Sequence, residues 1–190
     1  IFWILLLTNA INWSDGIDGL ATGISLIAGL VLFGLSLKIG QYEVVQLVLI
    51  FIAVIAGFLV FNFPPAKIFL GTIGVNFLGF MFSILSIQGG AKVATTFLVL
   101  ALPIIDVAIT IFRRIRAGQK IYLPDNKHLF HQLQKAGLNQ KKILTLLYSI
   151  TLILGMSALF GSTWQKLLII LASVLLMFGL HAWADKKQNG

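Results

Sequence analysis

Apolar residues come in long blocks along this 190-residue chain, separated by short polar or Gly/Pro-rich segments. The blocks fall near residues 21–38, 43–61, 69–88, 93–112, 143–160 and 166–183. Each has about the ~17–25 residues that a helix rising ~1.5 Å per residue needs to cross ~30 Å of hydrocarbon. A further run at 1–8 is too short to cross. The pattern predicts an all-α, polytopic transmembrane helix bundle with six whole spans and one partial N-terminal span, forming a single integral membrane domain over residues 1–190.

Composition strengthens that reading. The chain is 58% hydrophobic and 11% charged with a mean hydropathy of +0.98, far from a soluble domain that carries about one quarter charged residues. The net charge of +8 then points to cytoplasmic loops and anionic lipid rather than to nucleic acid. Eight of the fourteen basic residues fall between 113 and 142: Arg113, Arg114, Arg116, Lys120, Lys127, Lys135, Lys141 and Lys142. Translocating such a loop is disfavoured, which makes 113–142 a cytoplasmic basic loop. Counting spans from it puts Asn9–Leu20, Asn62–Lys67 and Asp185–Gly190 on the same side, with the short loops at 38–43, 88–92 and 161–165 outside. There is no cysteine, so thiol chemistry is excluded. The chain opens on Ile-Phe-Trp inside an apolar run and lacks the basic start and cleavage site of a signal peptide, so it reads as the C-terminal part of a longer protein.

Three loops rich in Asn, Asp, His and Lys thus meet one membrane face. In the first, Asn9, Asn12, Asp15 and Asp18 recur every three residues with Gly16, Gly19 and Gly23 beside them. On a helix that spacing spreads the four groups over about half the circumference, and a 3₁₀ turn would stack them. Four polar groups with interleaved glycines exceed what a helix cap needs, and the glycines admit a backbone or phosphate at close range. In the second loop, Asn62 precedes Pro64-Pro65, which ends a helix, and Lys67 is either an interfacial anchor or a phosphate contact. Asp106 is the one acid within an apolar span, and burial of a carboxylate there costs enough that it should face the bundle interior. His128 and His131, three apart near Asp125, can contact phosphate, move a proton or ligate a metal. His181, near the C-terminal interface, reads as incidental.

Taken in order, Asn9-Ala10-Ile11-Asn12 with Asp15-Gly16-Ile17-Asp18-Gly19-Leu20, Asn62-Phe63-Pro64-Pro65-Ala66-Lys67, Phe69-Leu70-Gly71, Pro103 with Asp106 and Arg113-Arg114, and Asp125 with His128 and His131 resemble the polyprenyl-phosphate N-acetylhexosamine-1-phosphate transferases. The His loop is closer to the WecA/TagO type, which acts on UDP-GlcNAc and undecaprenyl phosphate. The resemblance implies transfer of a hexosamine-1-phosphate, GlcNAc-1-phosphate first of all, from a UDP-sugar to a polyprenyl phosphate. It implies a multi-pass inner (plasma) membrane protein with a cytoplasmic active face, initiating synthesis of a cell-envelope polysaccharide such as lipopolysaccharide or teichoic acid.

The implied cofactor is Mg²⁺, with Mn²⁺ an alternative, held at Asn12 and at Thr72, the position of the family's acidic ligand. Asp15, Asp18, His128 and His131 take catalytic roles, and Asn9, Asn62, Lys67, Asp106, Arg113 and Arg114 bind substrate. A homodimer is compatible with this reading. The sequence departs from the pattern at Thr72, where a hydroxyl replaces a carboxylate, and at Phe130, where an aromatic replaces a histidine. These departures predict weak metal binding and little activity, with Thr72→Asp the most productive repair and Phe130→His a secondary gain. The alternatives are a catalytically inactive homologue that binds the lipid phosphate, and a membrane transporter.

Overall fold

The computed structural model describes residues 1–88, 92–116, 118 and 128–189. Among these the elements are all helices: α1 (Phe2–Ser14), α2 (Leu20–Lys38), α3 (Tyr42–Asn62), α4 (Gly71–Ile87), α5 (Lys92–Val99), α6 (Ala101–Arg116), α7 (Leu129–Lys135), α8 (Gln140–Phe160) and α9 (Thr163–Asn189). Asp125, Lys120 and Lys127 of the basic loop lie outside the described residues.

The expected all-α membrane bundle is present, but with fewer whole spans than the six expected. Four helices are long and apolar enough to cross a bilayer, α2, α3, α8 and most of α9, and α5 with α6 makes a fifth only if the pair counts as one span despite a 74° bend. That bend replaces the straight span expected over 93–112. Its physical reason is Pro103 in the first turn of α6, which has no N–H to continue the α5 ladder and crowds the preceding turn, so the chain turns at Leu100. The span expected over 69–88 loses its first residues because Gly71 enters α4 at φ +63, a left-handed conformation that an L side chain resists. The 1–8 run, conversely, does not stop at residue 8: it continues as α1 through Ser14 and carries Asn9 and Asn12 onto helix. The predicted basic loop is also partly helical, since α6 reaches Arg116, α7 lies within the loop and α8 begins at Gln140.

Helix α2 is the centre of the bundle. It packs on α3 and α8, while α1 packs on α4 and α6, and α9 covers α6 and α7. Along α1 and α4 the pairing is antiparallel: Trp3 Nε1 donates to Ser86 Oγ at 2.8 Å, and farther along a Cβ on Gly79 would sit 2.4 Å from Thr8 Cα. Close backbone approach at a small residue is how apolar helices gain packing in lipid. Helices α3 and α9 instead turn Leu49, Ile50, Val54, Leu167, Leu168 and Leu171 outward, a surface suited to acyl chains rather than water. The up-and-down order brings the end of α1, the α3–α4 connection, the end of α6, α7 and the start of α8 to one end of the bundle.

Candidate functional site

Two polar clusters occupy that end. The first grows from the turn after α1. The α1 helix closes with Asp15 N donating to Asn12 O at 3.2 Å, and the chain then reverses through Gly19 at φ +78 to start α2. Asn62, at the end of α3, is buried and holds this turn: its Oδ1 accepts from Gly19 N at 3.2 Å and from Thr22 Oγ1 at 2.7 Å, while Nδ2 donates to Ile68 O at 3.0 Å. Asp18 ties the same turn to the Pro-Pro loop, its Oδ2 accepting from Ala66 N at 3.1 Å. From the opposite side Tyr148 of α8 donates its hydroxyl to Gly19 O, in the space that a side chain on Gly23 would fill, and Gln140 Nε2 donates to Asp18 O at 3.4 Å.

What this scaffold leaves open is a cavity of about 160 Å³ lined by Asp15, Gly16, Ile17, Asp18, Asn62, Phe69 and Leu70. Asp15 faces the N-terminus of α4, where the Gly71 amide bonds it. Burial, reinforced by the charge of Asp18, nevertheless pushes its carboxyl up from 3.8 to about 6, against the lowering effect of that amide. Two partly buried carboxylates that line one cavity, with the charge of one felt by the other, form a place where a cation would be stabilised.

The second cluster is closed. Asp106 of α6 is 9% exposed, and three groups surround its carboxylate: His128 Nδ1 at 2.8 Å from Oδ2, and Leu129 N at 3.0 Å and His181 Nε2 at 3.1 Å from Oδ1. His181 Nδ1 lies 2.7 Å from Gln132 Oε1. The clusters touch through aromatic rings. Trp13 meets His128 edge-on at 5.1 Å and lies under the guanidinium of buried Arg114 at 5.5 Å. Phe130, buried, lies parallel to the ring of His128 and occupies the space beside Gly16, where a Cβ would come within 2.0 Å of its ring.

Comparison with known proteins decides what kind of chain this is. Residues 1–90 match the sequence model of glycosyl transferase family 4. Over 186 residues, 93% of this chain and 52% of the relative, it is 39% identical to a Bacillus subtilis (strain 168) protein named "Probable undecaprenyl-phosphate N-acetylglucosaminyl 1-phosphate transferase". The chain belongs to this family. Two further relatives are phospho-N-acetylmuramoyl-pentapeptide-transferases, from Staphylococcus saprophyticus (32% identical over 84% of this chain and 50% of the relative) and Staphylococcus carnosus (30% identical, with the same shares). The chain spans about half the length of the curated relatives it matches. Among them the glycosyl transferase family 4 chain is more similar to the N-acetylglucosaminyl relative than to the staphylococcal pair.

Within this family frame the residues expected at the site are placed as follows. Asp15, Asp18 and Asn62 line one cavity. Asp106 and His128 form one network, and among the described residues His131 approaches it through its ring contact with Phe130 at 4.2 Å. Asn9 and Asn12 are exposed on α1, and Asn9 Nδ2 bonds back to Leu5 O at 2.7 Å, so the three-residue register does not produce one shared face: two members are helical and two lie in the turn. Thr72 is exposed in the first turn of α4, next to the Gly71 amide that bonds Asp15, and Lys67 is exposed in the α3–α4 connection. Arg113 is half-buried, and Arg114 turns inward onto Trp13.

His181 is not incidental. It is fully buried and bonded on both ring nitrogens, because an imidazole at that depth in the bundle must find polar partners. Gln132, Trp13, Tyr148 and Gln140 were also not singled out from sequence. The cost argument that picked out Asp106 applies equally to a histidine within the apolar run of α9 and would have found His181.

Proposed function

We propose that the whole protein containing this chain transfers a hexosamine-1-phosphate, GlcNAc-1-phosphate by the similarity above, from a UDP-sugar to a polyprenyl phosphate at the cytoplasmic face of the bacterial inner membrane. The observation that carries this reading is that Asp15 and Asp18 line one polar cavity at the end of the bundle, next to an apolar one. The apolar cavity, of about 160 Å³, is lined by Val54, Ile55, Phe58, Gly74, Phe77 and Leu78 with Thr22 and Leu70, and Leu70 lines both. A polar pocket abutting a lipid-facing one suits a substrate with a phosphate head and a prenyl tail.

The donor set fits a hard divalent ion. Mg²⁺ takes one or two carboxylates, keeps waters and completes its shell with substrate phosphates, so Asp15 and Asp18 would suffice as the protein's charged ligands, whereas Asn12 and Thr72, exposed on α1 and in the first turn of α4, are not among the residues that line the cavity. Among the described residues no group of three His, Asp or Glu could hold a metal by itself. Bound there, Mg²⁺ would neutralise the pyrophosphate and favour departure of UMP.

The protein's own groups then orient the reaction. Lys67 and Arg113 offset the charge of two approaching anions, and Asp106 fixes His128 so that Nε2, which has no hydrogen-bond partner among the described residues, is left for a phosphate or sugar oxygen. A lipid phosphate oxygen forms a bond to the β-phosphorus of the UDP-sugar, the bridging P–O bond breaks, and UMP leaves. With Thr72 neutral, the site would hold a divalent ion with less charge than a carboxylate at that position would supply, and slow turnover is expected. Membranes carrying the whole protein should release UMP from UDP-GlcNAc only with Mg²⁺ and polyprenyl phosphate present. Lipid-phosphate binding without UMP release from any UDP-hexosamine would instead identify an inactive homologue.

A further inference from the structure

Helix α9 contributes to this site although none of its residues lines either cavity just described. We infer that His181 is a positioning residue: from the last helix it fixes the Asp106 carboxylate, and through it the ring of His128. The inference rests on the transferase reading above for the reaction it serves, but its geometry stands independently.

The argument starts from the two ring nitrogens. Nε2 lies 3.1 Å from Asp106 Oδ1 and Nδ1 lies 2.7 Å from Gln132 Oε1. If the Gln132 amide presents its oxygen, both nitrogens of His181 must donate; if the amide is turned, its nitrogen donates to Nδ1 and the proton of the neutral ring sits on Nε2. With Asp106 ionised, Nε2–H donates to the carboxylate in either arrangement. One oxygen of Asp106 is thereby held by α9 and by the Leu129 amide, and the other is left for His128 Nδ1 at 2.8 Å. That fixes the hydrogen-bonded nitrogen of His128, and with it the direction of the opposite nitrogen.

The network also reaches the substrate end. His128 is the residue that precedes α7 and meets Trp13, a member of the Asn9–Leu20 segment, while Phe130 two residues on fills the space at Gly16 in the lining of the carboxylate cavity. The chain of contacts from His181 through Asp106 to His128 therefore joins three segments distant in sequence: α9, α6 and the start of α7. Burial alone requires only that both nitrogens find polar partners; what points to positioning is that one of those partners is the carboxylate that also holds His128.

The test is a double-mutant cycle on the whole protein in detergent or proteoliposomes, using His181→Ala, His128→Ala and the double variant, with His181→Gln as the conservative change that keeps a donor. UMP release gives kcat and KM for UDP-GlcNAc, and thermal unfolding is followed on the same samples. A positioning role predicts that His181→Ala lowers kcat by about tenfold with KM within about twofold, that His181→Gln restores most of it, and that His181→Ala adds less than about twofold in the His128→Ala background. Additive losses, a change confined to KM, an unchanged kcat in folded His181→Ala, or equal loss in the Gln and Ala variants would each overturn it. If His181→Ala does not fold, His181→Gln against His181→Asn asks the same question, since Asn is too short to reach Asp106: Gln active and Asn impaired supports the role, equal behaviour removes it. If the wild type releases no UMP, the transferase reading fails while the inference remains testable. The double variant should then lose less Tm than its two single variants together, and strict additivity would refute the network.

Discussion

The Asp15–Asp18 cavity and the Asp106 network are both clusters of acid and polar side chains at the same end of the bundle, yet they are built oppositely. Around Asp106 the donors meet the carboxylate: two histidines and a backbone amide take up both oxygens. Around Asp15 the protein offers an amide from Gly71 and a second carboxylate, and its carboxyl is pushed up to about 6. A buried charge that is fully paired holds structure, whereas a half-buried charge set against its like is relieved only by something that binds. The first cluster is made to hold and the second to receive.

The largest effect expected from this contrast is on stability. Asp106→Ala leaves His128 and His181 without their shared acceptor inside the bundle, and thermal or denaturant unfolding should show a loss of about 3–5 kcal/mol. A loss below about 1 kcal/mol would mean that the network is not a structural centre.

Next comes Phe130→His, which the sequence alone marks as a gain. The ring of Phe130 is buried against Gly16 and beside His128, so a smaller polar ring leaves a void and an unsatisfied nitrogen. Unfolding should show destabilisation by about 1–3 kcal/mol without higher turnover; increased turnover at unchanged stability would restore the original expectation.

A third effect is on pH dependence. Asp15 is raised in the folded protein, so in the metal-free state its contribution to stability is full below about 4 and is lost as pH rises through about 6. A cation favours the ionised form and has the opposite preference. Mg²⁺ affinity measured by titration calorimetry should therefore fall by up to about tenfold per pH unit below 6, with proton release on binding near pH 6. Flat affinity between pH 5 and 7 would detach Asp15 from the ion.

The smallest change expected is from Thr72→Asp. It adds a carboxylate beside the Gly71 amide that bonds Asp15, and should tighten Mg²⁺ severalfold in the same titration and raise UMP release with it. Equal, robust rates in the wild type and in Thr72→Asp would show that this position holds no metal.

The legible part of this molecule was what long apolar runs and expensive polar residues reveal. The helices over 20–38, 42–62 and 140–160 follow their apolar blocks closely, because in lipid the backbone must satisfy itself and hydropathy sets length. Asp106 was legible for the same reason. The break at Leu100 was not, since Pro103 can either kink a span or begin a new helix and only the packing of α5 and α6 decides. The three-residue register of Asn9, Asn12, Asp15 and Asp18 was visible, but where α1 stops was not, and that boundary separates two exposed amides on a helix from two carboxylates at a cavity. Asn62 was visible as a polar residue before Pro-Pro, whereas its use in pinning Gly19 and Thr22 depends on a partner about forty residues away.

The central claim, that one cluster receives and the other holds, is tested most directly by thermal unfolding of the whole detergent-solubilised protein with and without Mg²⁺ and UDP-GlcNAc, in the wild type, Asp15→Asn and Asp106→Asn. In Asp15→Asn the side-chain oxygen can still accept the Gly71 amide without the penalised charge. The account therefore predicts an unchanged or raised ligand-free Tm for Asp15→Asn with the ligand-induced rise abolished, and a markedly lowered ligand-free Tm for Asp106→Asn. A ligand-free Tm in Asp15→Asn as low as in Asp106→Asn, or a full ligand-induced rise in Asp15→Asn, would contradict it.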